Sequence, residues 1–131
     1  MIALIDNVSK ETLGVILDTL PVEFSFVDDS DAVRIFNKNG DRIFPRPRSV
    51  IGRKVQDCHP GKSLHKVQQI IDEMRDGSRN VAEFWIDHKG MKVSIRYFAV
   101  RSKNGEYLGC LEVSQDITDL QSIQGEKRLL T

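Results

Sequence analysis

Residues 56–67, QDCHPGKSLHKV, hold one of the chain's two cysteines and two of its three histidines. Such a cluster suggests metal binding, haem ligation or thiol redox chemistry. Tetrahedral zinc needs four N or S ligands, or three and a water. The chain has no Cys-x-x-Cys and no His-x3-His, and the adjacent Cys58 and His59 are poorly placed to chelate one ion together, so no metal site is expected. Haem needs only one or two axial ligands, which leaves His59 and His65 open to it. At 100° per residue, His65 falls away from the stripe Val67, Ile70, Ile71 and Met74 and reads as a solvent-facing or helix-start residue. His59 precedes Pro60, so a loop rather than a helix sets its direction, and it has the best claim in the stretch to face a ligand. Cys58 has His59, Lys62 and a helix start nearby, all of which lower a thiol pKa. Its alternative reading is a small half-buried residue, the common fate of a free cysteine.

The elements that must position these residues follow from periodicity. Residues 9–20, SKETLGVILDTL, predict a helix with Ser9 as cap, Glu11 in the first turn and Pro21 as the stop. Leu13, Ile16, Leu17 and Leu20 form one apolar stripe that must bury against the chain's own sheet or a partner. EFSFV (23–27) and VRIFN (33–37) alternate as strands joined by the acidic turn DDSDA. Residues 37–52, with Asn, Gly and two prolines, predict loop and short turns. A helix follows from Lys62 to Asp76, with Gly77 as its C-terminal cap. Strands are predicted at 80–88, 91–101 and 106–115, with hairpin turns at HKG and SKNG. Val93, Ile95, Tyr97 and Ala99 mark one apolar face of the last two strands, and Phe98 and Val100 mark the other. The order gives an α+β domain built on one antiparallel five-stranded sheet.

The 131 residues fit a single domain able to bury a core. Nineteen basic residues balance nineteen acidic ones, which removes the basic footprint of a nucleic-acid binder. The start MIALID contains neither a signal peptide nor a membrane span, and two cysteines are too few for a secreted disulfide scaffold. A cytoplasmic protein is the expectation. No phosphate loop, nucleophile elbow or metal-ligand pair at helical spacing is present, so an enzyme is not expected.

LDTLPVEFSFVDDSDAVRIFN, VIGRKVQDCHP and NGEYLGCLEVSQDIT occur in the order and spacing of a PAS domain, which the chain resembles over about residues 13–120. FPRPRSVIGR, CHPGKSLHKV, AEFWI, IRYFAVR and GEYLG are further similar to a bacterial PAS subfamily found C-terminal to hemerythrin-like helical domains. The resemblance implies a sheet curved into a cup, short helices, one longer helix across its face and an N-terminal amphipathic helix as connector. It implies a sensor that binds a small ligand and signals to an attached output or hemerythrin-like domain, and homodimers are common in the family. A ligand-free dimerisation or interaction module is the alternative, and a haem-based redox or gas sensor a lesser one. Flavin is disfavoured, because GRKVQDCHPGK lacks the photosensor pattern Gly-x-Asn-Cys-Arg-Phe-Leu-Gln. Candidate lining residues are His59, Phe44, Trp85, Tyr97, Ile71, Val55 and Arg46. An inward arginine binds a carboxylate bidentately, and Arg53, Arg96 and Arg101 share that option with Arg46. By the resemblance, Asp116 and Thr118 of the DIT ending are expected to pass a change in the sheet to a following helix, or simply to cap that helix.

Overall fold

In the computed structural model, which describes residues 4–38, 40–59 and 61–130, the Ser9 hydroxyl accepts a 3.0 Å hydrogen bond from the Thr12 amide and starts helix α1 (Lys10–Thr19). The apolar stripe of α1 is only partly buried by the chain itself. Leu13 and Leu17 are half-buried, while Val15 and Ile16 are 60% and 45% exposed.

Strands β1 (Glu23–Asp28) and β2 (Val33–Phe36) pair through the predicted acidic turn. There the Asp28 carboxylate accepts from the amides of Ser30 and Ala32 at 2.9 and 3.0 Å, and Asp31 takes the left-handed conformation. Single turns of 3-10 helix at Arg48–Val50 and Val55–Cys58 interrupt the loop that follows. Helix α2 (Gly61–Asp76) buries Val67, Ile71 and Met74, as its periodicity requires, and packs on the last strand and the 55–58 turn. Strands β3 (Val81–His88), β4 (Met91–Arg101) and β5 (Tyr107–Asp116) complete an antiparallel sheet of order β2-β1-β5-β4-β3. The α+β fold is therefore the one read from periodicity, with all five strands and both helices at the expected places.

Register fixes what faces the cup. Tyr97 lies between Ala82 of β3 and Glu112 of β5, and Ile95 lies between Phe84 and Ser114. One cluster on this inner face joins Met74, Val93, Ile95, Tyr97 and Cys110, with Phe44 and Ile70 packed against it. A second joins Val27, Val33, Val50, Val55, Val67 and Ile71, with Cys58 at its margin. On β1 and β5 the usual polarity is inverted. Glu23, Ser25, Glu112 and Ser114 share the inner face, while Phe24, Phe26, Leu111 and Val113 lie opposite.

Trp85 corrects the expectation that it lines the cup. Successive side chains of a strand alternate, so with Ala82, Phe84 and Ile86 inward Trp85 pairs with Ser94 on the outer face, 69% exposed. After β5 the chain forms one 3-10 turn, Leu120–Ser122, rather than a packed helix.

Candidate functional site

The polar groups of the inner face are organised in two adjoining nodes. In the first, both Glu23 oxygens are used: Oε1 accepts from the Ile43 amide at 2.5 Å and Oε2 from the Phe44 amide at 3.1 Å. Arg42 lies 3.4 Å from Glu23, with side-chain exposures of 4% and 3%. The Arg42 guanidinium also donates to the carbonyls of Asn37 (2.7 Å), Phe44 (3.1 Å) and Phe24 (3.3 Å). A buried charge persists only when paired and hydrogen-bonded, and here both conditions are met. Asn37, 3% exposed, extends the node outward: its Oδ1 accepts from the Phe24 amide and its Nδ2 donates to the carbonyls of Leu17 and Val22. Lys38 adds a backbone bond to the Asp18 carboxylate. The loop over the cup is thus tied to the end of α1.

The second node is the candidate site. Arg46 and Glu112 form an ion pair at 3.4 Å in which each side chain is under one-fifth exposed. His59 lies within electrostatic reach of both, and its Nε2 is buried with no hydrogen-bond partner among the described residues. Burial lowers the pKa of His59; Glu112 opposes the shift and Arg46 adds to it. The ring is therefore neutral at neutral pH. Tyr97, 7% exposed, borders the same pair, and burial first and Glu112 second raise the pKa of its hydroxyl. Phe84 stacks on Tyr97 with centroids 5.8 Å apart and is itself 39% exposed. Phe44 meets His88 at 5.1 Å. A cleft of about 360 Å³ borders Arg46 on the loop side, lined by Gly40, Arg42, Pro45 and Pro47. A shallower groove of about 400 Å³ runs from Pro21 and Glu23 to Met91 and Asp116.

The structure brings together His59, Arg46 and Tyr97, with Phe44 packed on the same cluster as Tyr97. Val55 and Ile71 belong to the neighbouring aliphatic cluster instead. His65 is exposed on the first turns of α2 and Cys58 half-buried, its Sγ 3.6 Å from the Lys54 carbonyl. Burial pushes the Cys110 thiol up to about 12, which makes it an inert core group. Arg96 lies over the Phe98 ring and Arg101 donates to the carbonyls of Met74 and Arg79, so neither faces the Arg46 node. No cluster of three metal-ligating side chains occurs among the described residues, and no helix is long and apolar enough to cross a membrane.

Glu23, Arg42, Asn37 and Glu112 were not singled out from the sequence. Their signal was available in the inverted alternation: EFSF and LEVS each set phenylalanine or an aliphatic residue against Glu and Ser, and only the register tells which set is inside. At the sheet's exit, Asp116 Oδ1 accepts from the Thr118 amide and hydroxyl at 3.0 and 2.6 Å. The Thr118 hydroxyl in turn accepts from the Lys92 amide at 2.9 Å. This turn is clamped to the start of β4.

A family described as "PAS domain" matches residues 13–118. A C-terminal domain from Streptococcus mutans has a similar crystal structure, with 32% identity, a TM-score of 0.84, and coverage of 93% of this chain and 96% of that one. The PAS domain of a protein from Colwellia psychrerythraea is similar at 18% identity and a TM-score of 0.58, over 83% of this chain and 97% of that one. A sensory box sensor histidine kinase from Vibrio cholerae is similar at 16% identity and a TM-score of 0.57, over 83% and 92%. The latter two agree with this chain in fold. No curated protein matches the sequence.

Proposed function

The chain belongs to the PAS domain family, and on that premise we propose that it is a sensory module that binds a small ligand in its cup and passes occupancy to an attached domain. The observation that carries the reading is the inner-face node of Arg46, Glu112 and Tyr97 around the unpartnered Nε2 of His59. Buried polar groups are costly unless satisfied, and these lie on the face that carries the stacked Phe84 and Tyr97 rings. The module acts by binding rather than catalysis. An attached domain is supported by the similarity to a C-terminal domain from Streptococcus mutans. A hemerythrin-like domain is our choice for it, on the resemblance of the FPRPRSVIGR and CHPGKSLHKV segments, and the cytoplasm is the proposed location. Signal leaves by α1, through Asn37, and by the Asp116–Thr118 turn.

The test is an ultraviolet-visible spectrum of the protein as purified, with mass spectrometry of the material released on denaturation. The proposal expects one small organic molecule and no Soret band. An empty extract from folded protein would count against ligand sensing. A Soret band lost in His59→Ala would instead support haem. A second reading, homodimerisation, is favoured by the exposed Val15 and Ile16 of α1 together with Trp85 on the outer sheet face. The two readings are compatible.

A further inference from the structure

We propose that the open edge of β3 docks an extended segment of a partner protein as an added strand, in which lysine or arginine alternates with apolar residues. The inference concerns a second surface and does not depend on what the cup holds.

The two edges of the sheet differ. The β2 edge is covered: the Val33 amide donates to the Arg53 carbonyl at 2.9 Å, its carbonyl accepts from Gly52 at 2.7 Å, and Ala32 bridges to Lys54. β3 is the opposite edge. Its sequence, VAEFWIDH, contains no proline or lysine, and no register shift interrupts its pairing with β4. Those are devices by which natural edges avoid further pairing. Which backbone groups face outward follows from both ends of the strand. The Ala99 amide donates to the Asn80 carbonyl at 2.8 Å, and a two-residue turn with φ of 50° and 81° at Lys89 and Gly90 joins His88 to Met91. Even-numbered residues of β3 therefore bond to β4, and the amides and carbonyls of Glu83, Trp85 and Asp87 point to the open side. No other segment among the described residues bonds to these groups, whereas the Val81 carbonyl accepts from Arg79 at 3.4 Å.

The side chains select the occupant. On the outer side Glu83 and Asp87 flank Trp85, which is 69% exposed. Lys92 pairs with Asp87 at 2.5 Å, but Arg96, opposite Glu83, lies over the Phe98 ring, and no ion pair joins it to Glu83 among the described residues. A cation set against this row meets a carboxylate and an indole face, the ring that attracts cations most strongly. On the inner side the neighbour is Phe84, 39% exposed, which favours an apolar residue. Main-chain bonds supply affinity in such strand addition, and the alternate side chains supply specificity. A second copy suits the edge poorly. Pairing two β3 strands antiparallel puts Glu83 and Asp87 of both copies on one face, and facing like charges destabilise a sheet. The edge amides lie in the plane of the sheet, so they stay available however the outer face is used.

The experiment titrates the isotope-labelled chain with three blocked peptides: Lys-Val-Lys-Val-Lys-Val, its counterpart with glutamate for lysine, and the lysine peptide methylated on its lysine backbone nitrogens. The lysine peptide should slow hydrogen exchange at the amides of Glu83, Trp85 and Asp87 and leave Phe84 and Ile86, already bonded to β4, little changed. The other two peptides should bind about tenfold more weakly or worse. Glu83→Lys, at an exposed position, should abolish the preference for lysine over glutamate while circular dichroism stays that of wild type. The proposal is overturned if the lysine peptide leaves the three amides unprotected, or if the methylated or glutamate peptide binds equally well. Protection of the same amides in the free chain that grows with protein concentration assigns the edge to a second copy and also overturns it.

Discussion

Replacing Arg42 with alanine puts the buried node to its hardest test. The side chain is 4% exposed and faces a Glu23 that is 3% exposed, and it donates to three backbone carbonyls. Truncation leaves Glu23 an uncompensated buried charge and removes the donor that those carbonyls share. Breaking one partner of a buried pair costs about 3–5 kcal/mol, against a total stability of about 5–15 kcal/mol for a domain. Arg34 and Asp28 provide the control, since their contact is shorter at 2.6 Å but Arg34 is 55% exposed. Exposed pairs contribute about 0–1 kcal/mol. Urea unfolding followed by far-ultraviolet circular dichroism should therefore show a large fall in midpoint for Arg42→Ala and little change for Arg34→Ala. The probe is not tryptophan fluorescence, because Trp85 is already exposed in the folded state. If Arg42→Ala stays within about 1 kcal/mol of wild type, the node contributes less than a buried ion pair should, and the reasoning from burial fails.

Three further outcomes follow from the same geometry. Trp85→Ala should change monomer stability by no more than about 0.5 kcal/mol, as for exposed sites generally, but should weaken self-association measured by sedimentation if the outer face pairs two copies. Gly109→Ala, at φ 153°, would drive a methyl group into the Val27 carbonyl and the Phe26 ring, so thermal unfolding should report a loss of about 2–4 kcal/mol. Burial holds the folded-state pKa of His59 below its ordinary 6.5, with Glu112 opposing and Arg46 adding to the shift, so its contribution is complete above that pH and is lost as pH falls through 6.5 toward the folded value. Urea midpoints between about pH 7.5 and 5.5 should decline for wild type and flatten for His59→Gln, because carboxylates titrate mainly below that window.

Most of the framework was legible because it rests on local signals. Ser9 as cap, Asp28 in the acidic turn and the Val67–Met74 stripe each act over a few residues, and each element formed where its pattern indicated. Of the site, Tyr97, Phe44, Arg46 and His59 were named in advance. What a single strand cannot reveal is which of its faces is inside. Trp85 reads as a lining candidate of the cup that the resemblance implies, yet its strand is an edge whose outer face is uncovered in this chain. For the same reason Glu23 and Glu112 passed as surface charges, although Phe24 and Val113 beside them face outward. The pairs Glu23–Arg42 and Arg46–Glu112 span 19 and 66 residues, respectively. No local pattern encodes such contacts.

The central claim is that cup occupancy is felt at α1 through the loop held by Glu23, Arg42 and Asn37. Hydrogen–deuterium exchange, comparing protein as purified with protein refolded free of small molecules, tests it most directly. The account predicts protection on occupancy at residues 42–46, along β5 around Glu112, and at the C-terminal turn of α1 where Asn37 binds the Leu17 carbonyl. Occupied and empty forms that exchange identically, or that differ only on the outer face around Trp85, would contradict it.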